Sequence, residues 1–308
     1  MPLPPEFHEI ARRVNNWGRW GADDELGTLN LVTDEVVRAA AATVHTGRRI
    51  PLALPLHRDG LQTGLIPGRT NPLHTMIQIN YEMFGPDAVA TSDDTVTMAL
   101  QAATHWDALT HVSHRGKIYN GRPATTITAH DRARFSGIDK VPHVVSRGVL
   151  LDVARAKGLD RLPPDHAVTP EDLSEAADFG GVTPSPGDVL LVRTGQMRLL
   201  LDGDKHAYGF PSPGLSIRTP EWFHTHDASA VATDTLSFEI IPPEIDDLWL
   251  AVHALDLVEM GMLQGQNWNL ESLSTACAQE SRYAFFLSAM PEPFLGATGT
   301  PVSPVAIL

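Results

Sequence analysis

Glycine and proline interrupt this chain so often that it can hold only short elements. Each occurs 24 times in 308 residues; proline fixes φ and removes a backbone donor, while glycine tolerates the conformations at which elements end. Between these breaks lie β-type runs starting at Ile50 (IPLALPL), Asp94 (DTVTMALQ), Gly148 (GVLLDV), Asp188 (DVLLVRT), Ala228 (ASAVATD) and Tyr283 (YAFFLSAM). Val149 to Val153 and Val189 to Val192 are almost wholly apolar, which predicts central strands covered on both faces. Helical patterns fall at Thr33 to Val44, with Thr33 as N-cap, and at Thr169 to Ala177, Thr219 to His226 and Glu244 to Leu257. The first half is strand-rich and the second alternates strand and helix, which predicts an α/β domain rich in loops. The tract from His57 to Pro86 has weak periodicity and reads as a long loop, either a cover over a site or a surface excursion.

Charge and cysteine content exclude several function classes. Lys and Arg number 23 against 37 Asp and Glu, a formal charge of −14, without a basic run to meet a phosphate backbone or an anionic membrane. One cysteine, Cys277, rules out an intramolecular disulfide and any cysteine-rich metal site. The N-terminal stretch lacks the apolar core of a signal peptide, and no run of apolar residues is long enough to span a bilayer. A cytoplasmic protein acting on a small molecule is the expectation.

Nucleotide-binding glycine loops, a GxSxG elbow and an HExxH helix are all absent. What stands out among 14 histidines is the cluster Gln101-Ala-Ala-Thr-His105-Trp106-Asp107-Ala-Leu-Thr-His111-Val-Ser-His114. On an extended segment residues i and i+2 share a face, so His105 and Asp107 can offer an imidazole and a carboxylate to one cation while Trp106 points away. Such a nitrogen and oxygen pair suits Zn²⁺ or Mn²⁺. His111, four residues on, is placed to act as a base on metal-bound water. A buried histidine hydrogen-bonded to aspartate for structural reasons is the competing reading.

The segment QAATHWDALTHVSHRGKIYNG resembles the HxGTHxDxPxH metal motif of the cyclase family, which includes bacterial kynurenine formamidase and isatin hydrolase. Similarity extends through NNWGRWGADDELGTLN, EWFHTHDASAVATDTLSFE and DDLWLAVHALDLVEMGMLQGQNWNLESL to the end of the chain. The family's first motif histidine falls on Gln101, its glycine on Ala103 and its proline on Leu109, while His105, Asp107 and His111 match. Formamidases complete a binuclear zinc site with a distant histidine and glutamate; here the matching stretch offers His253 and Gln264. The resemblance therefore implies one divalent metal, Mn(II) in preference to Zn(II), held by His105, Asp107 and Gln264. Gln101, His253 and His224 are further candidates for metal or substrate.

The resemblance further implies a swivelling β/β/α fold over residues 1–308, with residues 1–48 as an extension packing on it or on a neighbouring subunit. It also implies a homodimer or homotetramer whose active site borrows residues from the neighbour, with Trp17 and Trp20 candidates for that shared surface. The activity it implies is hydrolysis of a cyclic amide or similar acyl C–N bond by metal-activated water, with His111 as general base. Trp106, Tyr119 and Phe84 are the candidate pocket walls, with Tyr81 and Met83 beside Phe84. His114, Lys117, Asp234 and Glu239 are weaker substrate candidates. Two alternatives stay open: a metal-dependent cyclase or dehydratase of secondary metabolism, and a binding protein of the same fold that has lost catalysis.

Overall fold

The computed structural model describes residues 3–308. Its centre is a nine-stranded sheet in the order Arg49–Pro51, Val305–Ile307, Ala284–Ser288, Val145–Asp152, Val189–Arg193, Ala230–Thr233, Leu263–Gln266, His105–Asp107, Gly299–Pro301. The four strands from Val145–Asp152 to Leu263–Gln266 are mutually parallel, and the flanking pairs are antiparallel.

Strand periodicity sorts the apolar runs into two cores. Val149, Leu151, Leu190, Val192 and Val231 face one side, where they meet helices Pro5–Val14, Pro170–Gly180 and Thr219–Thr225 through Phe7, Leu173 and Phe223. Leu150, Val189, Leu191, Ala230 and Ala232 face the other, against helix Glu271–Glu280, Trp106 and Trp268. The two apolar runs are therefore central strands buried on both faces, as their composition predicts.

Several elements are bounded by the chemistry at their ends. Thr169 caps Pro170–Gly180 in a full capping box with Asp172, and Gly181 closes it at φ 60°. Thr33 caps Asp34–Ala41 through the Val36 amide. Expectation and structure part at Glu244 to Leu257: the left-handed Leu250 (φ 59°) precedes the helix, which runs only Ala251–His253 and then widens into a π-helix, Ala254–Met260. The tract from His57 to Pro86 also differs, since Leu73–Glu82 is a strand that pairs with Ala90–Thr97 in a projecting hairpin. No helix among the described residues is long and apolar enough to cross a membrane.

Candidate functional site

His105–Asp107 is a three-residue strand buried between Leu263–Gln266 and Gly299–Pro301. Its alternation settles the directions. Trp106 points into the core, its ring 4.8 Å from that of Trp268 and its indole N–H donating to the Ala289 carbonyl at 2.9 Å. Gly265 lies opposite Trp106, where a Cβ would come within 2.7 Å of both the Trp268 indole nitrogen and the Ala232 methyl, so only glycine lets these strands meet.

On the other face His105 and Asp107 stand together, wholly buried, with Nε2 and Oδ1 3.6 Å apart. His105 Nδ1 lies 2.7 Å from the Ala103 carbonyl, which can only accept, so Nδ1 carries the proton and Nε2 of the neutral ring presents a lone pair. Among the described residues neither that Nε2 nor Asp107 Oδ1 has a hydrogen-bond partner. Two acceptors facing each other in a dry interior are costly unless a cation lies between them. Burial alone would raise the Asp107 pKa, yet in acid, where a carboxyl group titrates, positive charge on the imidazoles of His111, His105 and His253 outweighs it and holds the carboxyl below its ordinary value.

His111 follows on a turn, its amide donating to the Ala108 carbonyl, with Nε2 3.8 Å from the same Oδ1 and 3.4 Å from the Arg69 guanidinium. Burial lowers the His111 pKa against the opposing pull of Asp107, with His253 and Arg69 adding to the lowering. The ring is thus neutral and able to take a proton near neutral pH. His253 closes the group from the helix ahead of the π-turns, with Nε2 3.9 Å from Asp107 Oδ2. Its Nδ1 and backbone N–H, together with the Val252 N–H, all bond to the Glu239 carboxylate, at 2.6, 3.1 and 2.9 Å. Burial works to lower the His253 pKa, but Glu239 more than offsets it and the net shift is upward.

Gln264 and Gln266 both share the face of His105 and Asp107, and it is Gln266, of which no role was expected, that turns to Asp107 in place of Gln264. Gln264 lies opposite Asp107 but turns its amide to Asp256 Oδ2 at 3.0 Å. Gln266 instead reaches Asp107 Oδ2 at 2.8 Å and His253 Nε2 at 3.0 Å with its amide nitrogen, which leaves the amide oxygen as the atom it would offer a cation. Among the described residues no three His, Cys, Asp or Glu side chains form a metal cluster, so a site here depends on this amide. The orphaned pair and the neighbouring amide oxygen fit one cation and supply too few charged donors for two.

The group opens onto a cavity of about 460 Å³, lined by His111, His253, Gln266 and Arg69 and walled by apolar side chains that include Ile66, Phe210, Leu236 and Trp249. The segment Leu65 to Arg69 thus covers the site, while the rest of the expected loop leaves in the hairpin. Arg69, Glu239 as the anchor of His253, Gln266 and these walls escaped the sequence reading; the i, i+2 glutamines of LQGQ were the available signal for Gln266.

Other candidates lie elsewhere. Tyr119 is buried, its hydroxyl donating to Asp24, and Phe84 sits exposed at the hairpin end, so neither they nor Trp106 line the cavity. Gln101 turns its amide to Thr298 Oγ1 at 3.5 Å. His224 faces Asn16 on the helical layer, away from the cavity. Asp234 is buried and accepts from Thr194 and Gly195, a structural anchor between strand ends.

Residues 29–240 match the family model for the Cyclase family. A crystal structure described as a novel cyclase is 35% identical, covers 96% of this chain and 100% of its own, and superposes with a TM-score of 0.88. Isatin hydrolase A from Labrenzia aggregata, bound to benzyl benzoate, shares the fold at 20% identity, with 89% and 97% coverage and a TM-score of 0.61. A metal-dependent hydrolase from Bacillus stearothermophilus, so described by prediction, does so at 16% identity, with 84% and 97% coverage and a TM-score of 0.56. No curated protein matches the sequence. By the span of the matched model and by the near full-length likeness to the cyclase structure, this chain belongs to the Cyclase family.

Proposed function

We propose that the chain is a metal-dependent hydrolase of a cyclic amide or similar acyl C–N bond, with His105, Asp107 and Gln266 holding one divalent cation, Mn(II) in preference to Zn(II). The observation that carries this reading is the pair of orphaned, buried acceptors His105 Nε2 and Asp107 Oδ1 beside a neutral His111 at the head of an apolar cavity. A bound cation supplies carbonyl polarisation and a lower pKa for water. His111 takes the proton from the attacking water and returns it to the leaving nitrogen. Arg69 fixes the His111 ring, Glu239 fixes His253, and the apolar walls exclude bulk water and receive a flat ring. Isatin hydrolase among the structures of this fold supports the substrate class. Purified protein loaded with Mn²⁺ and offered isatin, related cyclic amides and N-formylkynurenine should turn over at least one of them, and turnover of none would reject the assignment.

A second reading uses the same residues for ring closure or dehydration, and the 35% identical structure described as a cyclase favours it. Product mass separates the two: hydrolysis adds one water and dehydration removes one.

The hairpin Leu73–Glu82 and Ala90–Thr97 supports a homodimer or homotetramer. Ile77, Ile79, Phe84 and Val89 are each at least 65% exposed, and a two-stranded hairpin is marginal on its own in water. A second copy covering it would stabilise both. Ile77→Asp with Ile79→Asp should then shift the mass measured by light scattering to that of a monomer, and an unshifted assembly contradicts this role for the hairpin.

A further inference from the structure

A second cavity, of about 650 Å³, lies between helix Pro5–Val14 and the turn at His114 to Lys117, and it shares no lining residue with the cavity at His111. In a chain of net charge −14, five groups able to carry positive charge meet here: His8, Arg12, His114, Arg115 and Lys117. His8 and Arg12 are one helical turn apart and share a face. Across from them, Arg115 Nη2 lies 3.2 and 3.3 Å from the two ring nitrogens of His8. Arg12, Arg115 and Lys117 have no ion pair among the described residues. Among the described residues the cleft has one carboxylate, Glu259, already engaged by the Asn15 amide at 2.8 Å and His114 Nδ1 at 2.9 Å.

Two further observations point to a missing ligand. The His114 side chain is only 10% exposed, and its Nε2 has no hydrogen-bond partner among the described residues. With Nδ1 engaged by Glu259, that nitrogen is left for a ligand in the cleft to meet. Arg115 occupies the first position of a two-residue turn closed by His114 and Lys117, with φ of 51° there and 69° at Gly116. Asn, Asp or Gly suits this turn; arginine is strained in it. The strained backbone brings its guanidinium to the cleft, and such strain gathers where a ligand is held. Trp17, with Lys117 Nζ 5.4 Å from its ring centroid, adds an aromatic wall.

We propose that this cleft is a binding site for a phosphate group, free or carried by a small soluble molecule, with Arg115, Arg12 and Lys117 as its cationic partners. The chemistry would equally suit a lipid headgroup, and the test separates the sources. Isothermal titration of the full chain at constant ionic strength would use inorganic phosphate and phenyl phosphate as probes. Saturable binding of at least one is expected, weakened about tenfold or more in Arg115→Asn, as loss of a charge-assisted hydrogen bond implies. Because asparagine suits the turn, that variant should melt no lower than the parent, so lost affinity cannot be misread as misfolding. Absence of saturable binding at millimolar probe, or an Arg115→Asn affinity equal to the parent's, overturns the proposal. Sedimentation with phosphatidic acid vesicles, in a protein that titrates with neither soluble probe, overturns the soluble ligand. None of these readouts depends on turnover, so the outcome stands apart from that of the hydrolase assignment.

Discussion

His105 Nε2 and Asp107 Oδ1 face each other at 3.6 Å in a solvent-free interior, and neither has a hydrogen-bond donor to satisfy it. Each side of this relation is forced by its neighbours. The Ala103 carbonyl takes the His105 proton on the far nitrogen, and Gln266 takes the other Asp107 oxygen. The two remaining lone pairs converge beside His111, which makes this the point where a cation and a base would act together.

His111→Ala should lower kcat by about 10²–10⁴-fold, the usual contribution of a general acid/base. His111 stands 3.8 Å from Asp107, outside the proposed donor set, so metal content should be unchanged. A variant with parental turnover would remove the role.

Glu239→Gln should lower both stability and the His253 pKa. The carboxylate gathers two backbone N–H groups and the imidazole Nδ1, and a neutral amide with one acceptor cannot serve all three. Leaving a buried donor unpaired costs about 1–3 kcal/mol, readable as a lower melting temperature. In the parent Glu239 holds the His253 pKa above 6.5, so its titration followed by NMR should move down in the variant.

Asp256 carries a pH dependence of its own. Burial pushes its carboxyl from 3.8 up to about 8. Its Oδ1 and the Oε1 of Gln264 are both orphaned, while the Gln264 amide donates to Oδ2; a proton on Oδ1 turns the two side chains into a neutral acid and amide pair. The folded state then keeps a proton that the unfolded chain has released. This contribution is fully present below pH 3.8 and is lost as pH rises towards 8. Chemical denaturation across that range should show stability falling with pH in the parent. In Asp256→Asn, whose amide is neutral throughout, the fall should flatten; parallel curves would contradict a buried proton.

The parts of this molecule that periodicity and local chemistry control were legible in the sequence. The two apolar runs are the central strands, Thr33 caps a helix, and alternation along His105-Trp106-Asp107 puts the two polar side chains on one face. Choices made by tertiary contact were not legible. Gln264 and Gln266 have the same local pattern, and only the proximity of Asp256 to one and of His253 to the other distinguishes them. Trp106, Tyr119 and Phe84 are aromatic residues near the motif, yet core packing, a hydrogen bond to Asp24 and a projecting hairpin carry them away from the cavity. The bend at Leu250 and the π-turns that bring His253 to Asp107 leave no periodic signature.

Elemental analysis of the purified protein and three variants tests the central claim most directly. The account predicts about one divalent ion per chain in the parent, Mn or Zn. That ion should be lost in Asp107→Ala and in Gln266→Ala and retained in Gln264→Ala, whose side chain is turned to Asp256. A parent that takes up no ion after incubation with Mn²⁺ or Zn²⁺, or an Asp107→Ala variant that stays fully loaded, would contradict the site.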